Sequence, residues 1–141
     1  MTQETTLKSD DPLAALEDEL LILSNYFHPE PTGSAPPITD LAGWAGELGL
    51  RPHVMTARPS YPRSEVYPGY EKGQKDREDF RGAEVRRVPS LIPRSRGLLG
   101  RLAGELSFAV SAVLRRERRY AGVVCVCPSI FVVVVAPMFR R

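Results

Sequence analysis

The strongest constraint on the fold is an alternation of short apolar runs with a helical pattern. Apolar runs at Leu20 to Leu23 and at His53 to Ala57 have the length of buried strands. Between them lie a turn-rich loop and a segment with the three- and four-residue apolar spacing of a helix. This strand-helix-strand order predicts a parallel sheet covered by helices. The sequence therefore predicts an α/β protein with a Rossmann-like, doubly wound sheet.

The helix of this unit can be placed residue by residue. Its apolar positions share one face, which we expect to cover the sheet: Ile38, Leu41, Ala42, Ala45 and Leu48. Pro37 suits the first helical position, where its missing N–H has no partner in any case, and Asp40 suits the first turn. Gly49 is expected to end the helix in a left-handed conformation. Gly43 and Gly46 each weaken a helix by about 1 kcal/mol relative to alanine, so packing against the sheet is expected to hold it.

The loop between the first strand and this helix is the expected binding position. In doubly wound sheets such a loop, with the helix N-terminus beyond it, presents backbone N–H groups to phosphates. Gly33 lies in the loop, and its alternative role is that of a turn glycine with positive φ. His28 lies at the edge of the predicted cleft, where it either contacts a sugar hydroxyl or phosphate or remains solvated.

The segment YFHPEPTGSAPPITDLAGWAGELG, followed by HVMTARPSYP, resembles the opening of the family-four glycosyltransferases. The match is to the branch that builds exopolysaccharide and colanic-acid-like polymers. Ser34 and Pro37 stand where that branch usually has isoleucine and tyrosine, at the rim of the loop. The resemblance runs from about Leu20 to the last residue. It implies the N-terminal, acceptor-side part of an enzyme built from two facing Rossmann-like domains.

The resemblance also implies a set of ligands. Thr32, Gly33 and Ser34 would lie beside the diphosphate of a nucleotide sugar, which is a substrate, so no cofactor is expected. The chain has 141 residues, room for one domain, and is expected to be a truncated first domain that is inactive alone. The catalytic groups are expected in the missing half. An alternative is a noncatalytic remnant or binding module that keeps the fold.

A long polar loop, residues 58–82, follows the second strand and has no evident secondary structure. Tyr61 and Tyr70 lie in it, and tyrosine rings can stack on sugar rings. With His28, they are the candidate contacts to the acceptor, a glycan or a lipid-linked sugar. The alternative is that the tyrosines pin the loop onto the domain.

Composition agrees with a cytoplasmic α/β origin. The net charge of +2 is too small to indicate a nucleic-acid partner, and no secretory signal is visible. The first 19 residues carry six acidic side chains against one lysine and are expected to form a disordered or loosely helical leader. Residues 20–141 are then the predicted domain.

A basic segment lies between Arg86 and Arg119, with nine arginines against Glu105 and Glu117. Within it an apolar stripe recurs at helical spacing: Leu99, Leu102, Leu106, Ala109, Val110 and Val113. One interpretation is a helix that covers the sheet and has a solvated arginine end. The other is a basic amphipathic surface in peripheral contact with anionic lipid at the inner face of the cell membrane.

The tail is apolar from Ile130 to Phe139, but its ten residues are fewer than the roughly 20 that a spanning helix needs. Its four successive valines favour a strand, whereas the resemblance favours a helix. Cys125 and Cys127 would share one face of a strand and are interpreted as buried thiols. No metal site is expected, because the two histidines lie far away in sequence.

Overall fold

Five strands form one sheet in the computed structural model, which describes residues 19–94, 97–126 and 129–141. The elements in chain order are β1 (Leu20–Leu23), α1 (Ala35–Glu47), β2 (His53–Ala57), β3 (Arg77–Phe80), β4 (Ala83–Val88), α2 (Leu98–Leu114), β5 (Gly122–Cys125), α3 (Ile130–Val135) and a 3₁₀ helix (Ala136–Phe139). The strand order is β3-β4-β2-β1-β5. The predicted leader lies outside the described residues, apart from its last residue.

The sheet is parallel from β4 through β2 and β1 to β5, and only the hairpin partner β3 runs antiparallel within the described residues. Alternate side chains point to opposite faces. Ile22, Val54 and Val85 pack on the face that α1 covers. Leu23 and Met55 pack on the other face, under α2 and α3. The predicted Rossmann-like α/β arrangement is confirmed.

Helix α1 begins earlier than predicted, at Ala35. Pro37 is therefore its third residue rather than its first, and Asp40 lies beyond the first turn, which holds no acidic residue. The predicted left-handed end is confirmed, since Gly49 has a φ of 82°. Its N–H donates to the Gly46 carbonyl at 3.0 Å, and the next N–H reaches back to Ala45, which together make a Schellman motif.

The buried face of α1 differs from the predicted one. Small residues line it: Ala35, Ala42, Gly43 and Ala45. Leu41 and Leu48 are exposed, so their expected place on the sheet is wrong. The small residues are explained by the hairpin turn at Arg81 and Gly82, because a Cβ on Gly46 would lie 2.2 Å from the Arg81 carbonyl oxygen.

Helix α2 also buries small side chains together with one large ring. Its buried residues are Gly104, Glu105, Phe108, Ala109 and Ala112. Of the predicted stripe, Ala109 is buried and Val113 packs against the core, but Leu99, Leu106 and Val110 are exposed. Helix α2 does cover the sheet, but the interpretation in which the apolar stripe forms the contact is wrong for most of the stripe. Phe108 and the small residues allow the helix to approach with the opposite side.

The remaining elements settle two open points. The tail is helical, as the resemblance implied, with α3 followed by the 3₁₀ helix. The loop after β2 is shorter than expected, because β3 occupies Arg77–Phe80.

Cys125 is half-buried against the core at the end of β5, whereas Cys127 lies outside the described residues. No helix in the described part of the chain has the length and hydropathy needed to cross a bilayer.

Candidate functional site

The order in which the chain adds strands to the sheet reverses at β1. From β1 it moves through α1 to β2 and then to β4, whereas α2 carries it back to β5 on the other side of β1. The connections after β1 and β5 therefore leave toward opposite faces of the sheet. In open α/β sheets, ligands bind in the crevice that this divergence opens at the carboxyl ends of the strands.

A shallow crevice is present at this position. Residues from the loops after β1 and β5 and from the first half of α2 line it: Ser24, Asn25, Tyr26, Ser34, Arg101, Glu105, Val126 and Ser129. The lining is dominated by hydroxyl groups and one ion pair, in which Arg101 Nε lies 3.1 Å from Glu105 Oε1. Such groups can donate to and accept from the hydroxyls and phosphates of a sugar nucleotide.

The hydroxyl groups of the crevice are held in different ways. Ser24 is buried, and its Oγ donates to the Tyr26 carbonyl at 2.7 Å. Ser129 is 5% exposed, and its Oγ has no hydrogen-bond partner among the described residues. Burial raises the pKa of the Tyr26 phenol, and the nearby Glu30 adds to the shift. Tyr26 therefore stays a neutral hydroxyl at physiological pH.

A buried carboxylate fixes the loop after β1 against the loop after β2. Glu30 Oε1 accepts the N–H of Ser60 at 2.9 Å and of Tyr61 at 3.0 Å. Its Oε2 accepts the N–H of Phe27 at 3.4 Å. Burial raises the pKa of Glu30, although the three N–H groups oppose that shift. The Glu30 side chain therefore links the two loops that border the carboxyl edge.

A buried arginine performs a similar task at the end of β4. Arg87 donates to Glu78 Oε1 at 2.7 Å and to the His28 carbonyl at 2.6 Å. Its guanidinium lies 4.9 Å from the centre of the Tyr70 ring, and Lys75 lies 4.9 Å from the same ring. Three segments of the chain thus converge on one fully buried cation.

The predicted donor-side residues lie at or beside the crevice. Ser34 lines it, and Thr32 and Gly33 immediately precede Ser34. Gly33 does not have positive φ, so the alternative of a turn glycine with positive φ is wrong. A Cβ built on Gly33 would meet nothing within 4 Å, which leaves open space beside its backbone.

The predicted acceptor-side residues have different surroundings and different exposure. Tyr61 is half-exposed, and its ring lies 6.3 Å from that of Tyr26, edge to face, next to the crevice. His28 is exposed but stacks on Phe80 of β3 at 5.1 Å. Tyr70 is 8% exposed between its two cations, an arrangement that favours the alternative in which it pins the loop.

Sequence reasoning missed several groups of the site. Glu30 lies in the quoted PEPTG motif, but no role was expected for it. Arg101 and Glu105 are the charged residues of α2, spaced i and i+4, and that spacing in an apolar helix was the available signal. Ser129 carried no signal, because a single serine after a strand is common.

The basic segment does not form one surface. Arg87 is buried, so the interpretation that includes it in a basic surface is wrong for this residue. Arg86 pairs with Glu117 at 2.9 Å, and Arg101 pairs with Glu105. The arginines that remain exposed flank α2, whereas Arg96 lies outside the described residues.

One comparison bears on this geometry. A protein of Escherichia coli (strain K12), WcaI, whose name describes a colanic acid biosynthesis glycosyl transferase, is 31% identical to the chain over 117 residues. The aligned part is 80% of this chain and 28% of that protein. The predicted resemblance to the colanic-acid-type glycosyltransferases is confirmed.

The chain spans less than a third of the length of the curated relative that it matches. No protein-family model matches the chain, and no solved structure matches it. Among the described residues, no three histidine, cysteine or acidic side chains gather in a cluster that could hold a metal ion.

Proposed function

We propose that this chain is the acceptor-side part of a sugar-nucleotide-dependent glycosyltransferase that makes exopolysaccharide or another cell-envelope glycan. The observation that carries the proposal is the hydroxyl-lined crevice at the reversal point of a sheet whose sequence is similar to that of a glycosyl transferase. The donor is a nucleotide sugar that serves as substrate, without a further cofactor. The acceptor is a glycan or a lipid-linked sugar.

The donor diphosphate is proposed to lie beside the backbone of Thr32, Gly33 and Ser34. The open space next to Gly33 supports this, because a phosphate can approach a backbone that carries no Cβ. Arg101 supplies a positive charge on the crevice wall, where it can stabilise a departing diphosphate. The exposed edge of Tyr61 is proposed to contact the acceptor sugar.

The place of action is proposed to be the cytoplasmic side of the cell membrane. A lipid-linked acceptor would be embedded in that membrane, so the enzyme must reach its surface. The exposed arginines near α2 support a peripheral contact with anionic lipid.

The test uses the chain fused to the part of the colanic acid relative that lies beyond the aligned region. Gly33→Val should lower kcat/KM for sugar transfer at least about tenfold, equivalent to roughly 1.4 kcal/mol, because the new side chain fills the space proposed for the diphosphate. Folding should be unchanged, because no atom lies within 4 Å of the new Cβ. Transfer is measured as release of nucleoside diphosphate from UDP- and GDP-sugars.

Leu48→Val is the matched control, because Leu48 is 73% exposed at the opposite end of α1. It should leave transfer unchanged. Equal turnover by the Gly33 variant and the parent fusion would disprove the donor position. A folded fusion that releases no nucleoside diphosphate from any of these sugars would favour the alternative, a noncatalytic remnant or binding module.

A further inference from the structure

The outward side of α2 is apolar along its whole length. Five exposed residues recur at spacings of three and four and form a stripe: Leu99, Ala103, Leu106, Val110 and Leu114. Leu99 and Leu114 are 82% and 76% exposed. The stripe lies on the side of the helix opposite to Phe108 and Ala112, which are buried on the sheet. A helix of a water-exposed domain normally places charged residues on that side.

No charged side chain interrupts the outward stripe. The charged residues of α2 are Arg101 and Glu105, and they pair with each other in the crevice. Helix α3 packs beside α2, and Ile130 and Val134 of α3 and Met138 of the 3₁₀ helix are also exposed. We call these exposed apolar residues of α2, α3 and the 3₁₀ helix the outward face.

Arginines stand at the two ends of this face. Four of them are exposed and form no ion pair among the described residues: Arg94, Arg115, Arg119 and Arg140. Arg116 also lies there and donates to the carbonyl of Met138, which ties the end of α2 to the 3₁₀ helix. The nearby acids are already engaged, since Glu117 pairs with Arg86. The ends of the outward face therefore carry uncompensated positive charge.

We propose that the outward face docks on the surface of a bilayer that contains anionic lipid. An uncharged apolar stripe with arginines at its ends has the chemistry of a helix that lies in the interface plane. The leucines would enter the boundary of the acyl chains, and the arginine heads would reach the lipid phosphates. This defines the surface of the membrane contact in the proposed function, but docking does not depend on sugar transfer and can fail separately.

The test measures sedimentation of the 141-residue chain with vesicles of phosphatidylcholine alone or mixed with phosphatidylglycerol. Partitioning should be at least about tenfold stronger onto the anionic vesicles and should weaken with added salt, because salt screens exposed charges beyond about 10 Å. Each arginine near the surface changes partitioning by about fivefold, so Arg115→Gln with Arg119→Gln should weaken it about 25-fold.

The apolar part is tested with Leu99→Gln and Leu106→Gln together, which should also abolish most of the binding. Matched controls are Leu48→Gln and Arg63→Gln, exposed positions away from the outward face, which should bind like the unchanged chain. Circular dichroism confirms that each variant is folded.

Three results would overturn the proposal. The first is equal partitioning onto neutral and anionic vesicles, and the second is equal binding by the outward-face variants and their controls. The third is a dimer, seen by analytical ultracentrifugation, that the leucine variants convert to a monomer while no form binds vesicles. That third result would mean that another copy of the chain covers the face.

Discussion

Helices α1 and α2 cover opposite faces of the sheet in the same way, but their outward sides differ. Both bury alanine and glycine against the strands. On its exposed side α1 mixes Trp44 and Leu48 with the charged Asp40 and Glu47. The outward stripe of α2 carries no charge, because the exposed Arg101 lies on the crevice side of the helix. Helical spacing thus identifies an apolar stripe, but residue size decides which side of the helix can approach the sheet. Charged residues on the exposed side are typical of a solvated helix, and their absence from the outward stripe of α2 is what favours a docking surface there.

The largest expected effect tests which side of α2 is core. Phe108→Ala should lower the free energy of unfolding by about 3 to 5 kcal/mol, because Phe108 is fully buried. Leu106→Ala should lower the free energy of unfolding by less than about 1 kcal/mol, because Leu106 is 47% exposed. Urea denaturation of both variants measures the difference. Equal costs would mean that the outward face is covered within the domain and would remove the contrast with α1.

A smaller effect is expected from the glycines of α1. Gly46→Ala should lower the free energy of unfolding by about 1 to 3 kcal/mol, because the new Cβ would overlap the Arg81 backbone and force the hairpin turn away. Gly43→Ala is the matched control on the same helix. Its Cβ meets the flexible Arg81 guanidinium at 2.6 Å, which can move, so the gain in helix propensity should leave this variant near neutral.

Thermal unfolding of the two alanine variants gives the comparison. If Gly46→Ala melts at the temperature of the unchanged chain, then α1 and the hairpin turn do not pack as closely as described. The close packing of α1 would then no longer explain why its buried residues are small.

The smallest expected effect is a change in pH dependence at Glu30. Its pKa is raised by burial in the folded state, so the folded chain binds this proton more tightly than the unfolded chain. The contribution of Glu30 to stability should therefore grow as pH falls from the raised pKa toward the ordinary pKa of a glutamate. Glu30→Gln should remove that part of the pH dependence of stability. Melting temperatures measured across this range test it, and parallel curves for the two proteins would contradict the assignment.

Much of the fold could be predicted from the sequence, because β1, β2 and β5 are short and mostly apolar runs. The bounds of β1 and β2 agree with the predicted ones. Strand β3 was missed because its residues, REDF, are mostly polar, as suits an edge strand. The direction of the apolar stripes was missed because the packing of glycine against a turn or a loop is a tertiary contact, which periodicity does not contain.

The candidate site could be predicted only in part. The loop with Gly33 was placed correctly, because strand, turn and helix follow one another in sequence. The opposite wall of the crevice comes from α2 and from Ser129, about 65 to 95 residues farther along the chain, where only the strand order brings them near. The burial of Tyr70 depends on Arg87, and such a long-range pair leaves no local pattern.

Arg87 has a consequence for how this domain can change over evolutionary time. It balances the charge of Glu78 and holds the carbonyl of His28 and the ring of Tyr70. Loss of Glu78 alone would leave the buried Arg87 cation uncompensated. Loss of Arg87 alone would leave the half-buried Glu78 carboxylate and the His28 carbonyl without this partner. Neither single step is easily tolerated. The edge strand, the loop after β1 and the loop after β2 are therefore expected to be inherited together, as a single unit of variation.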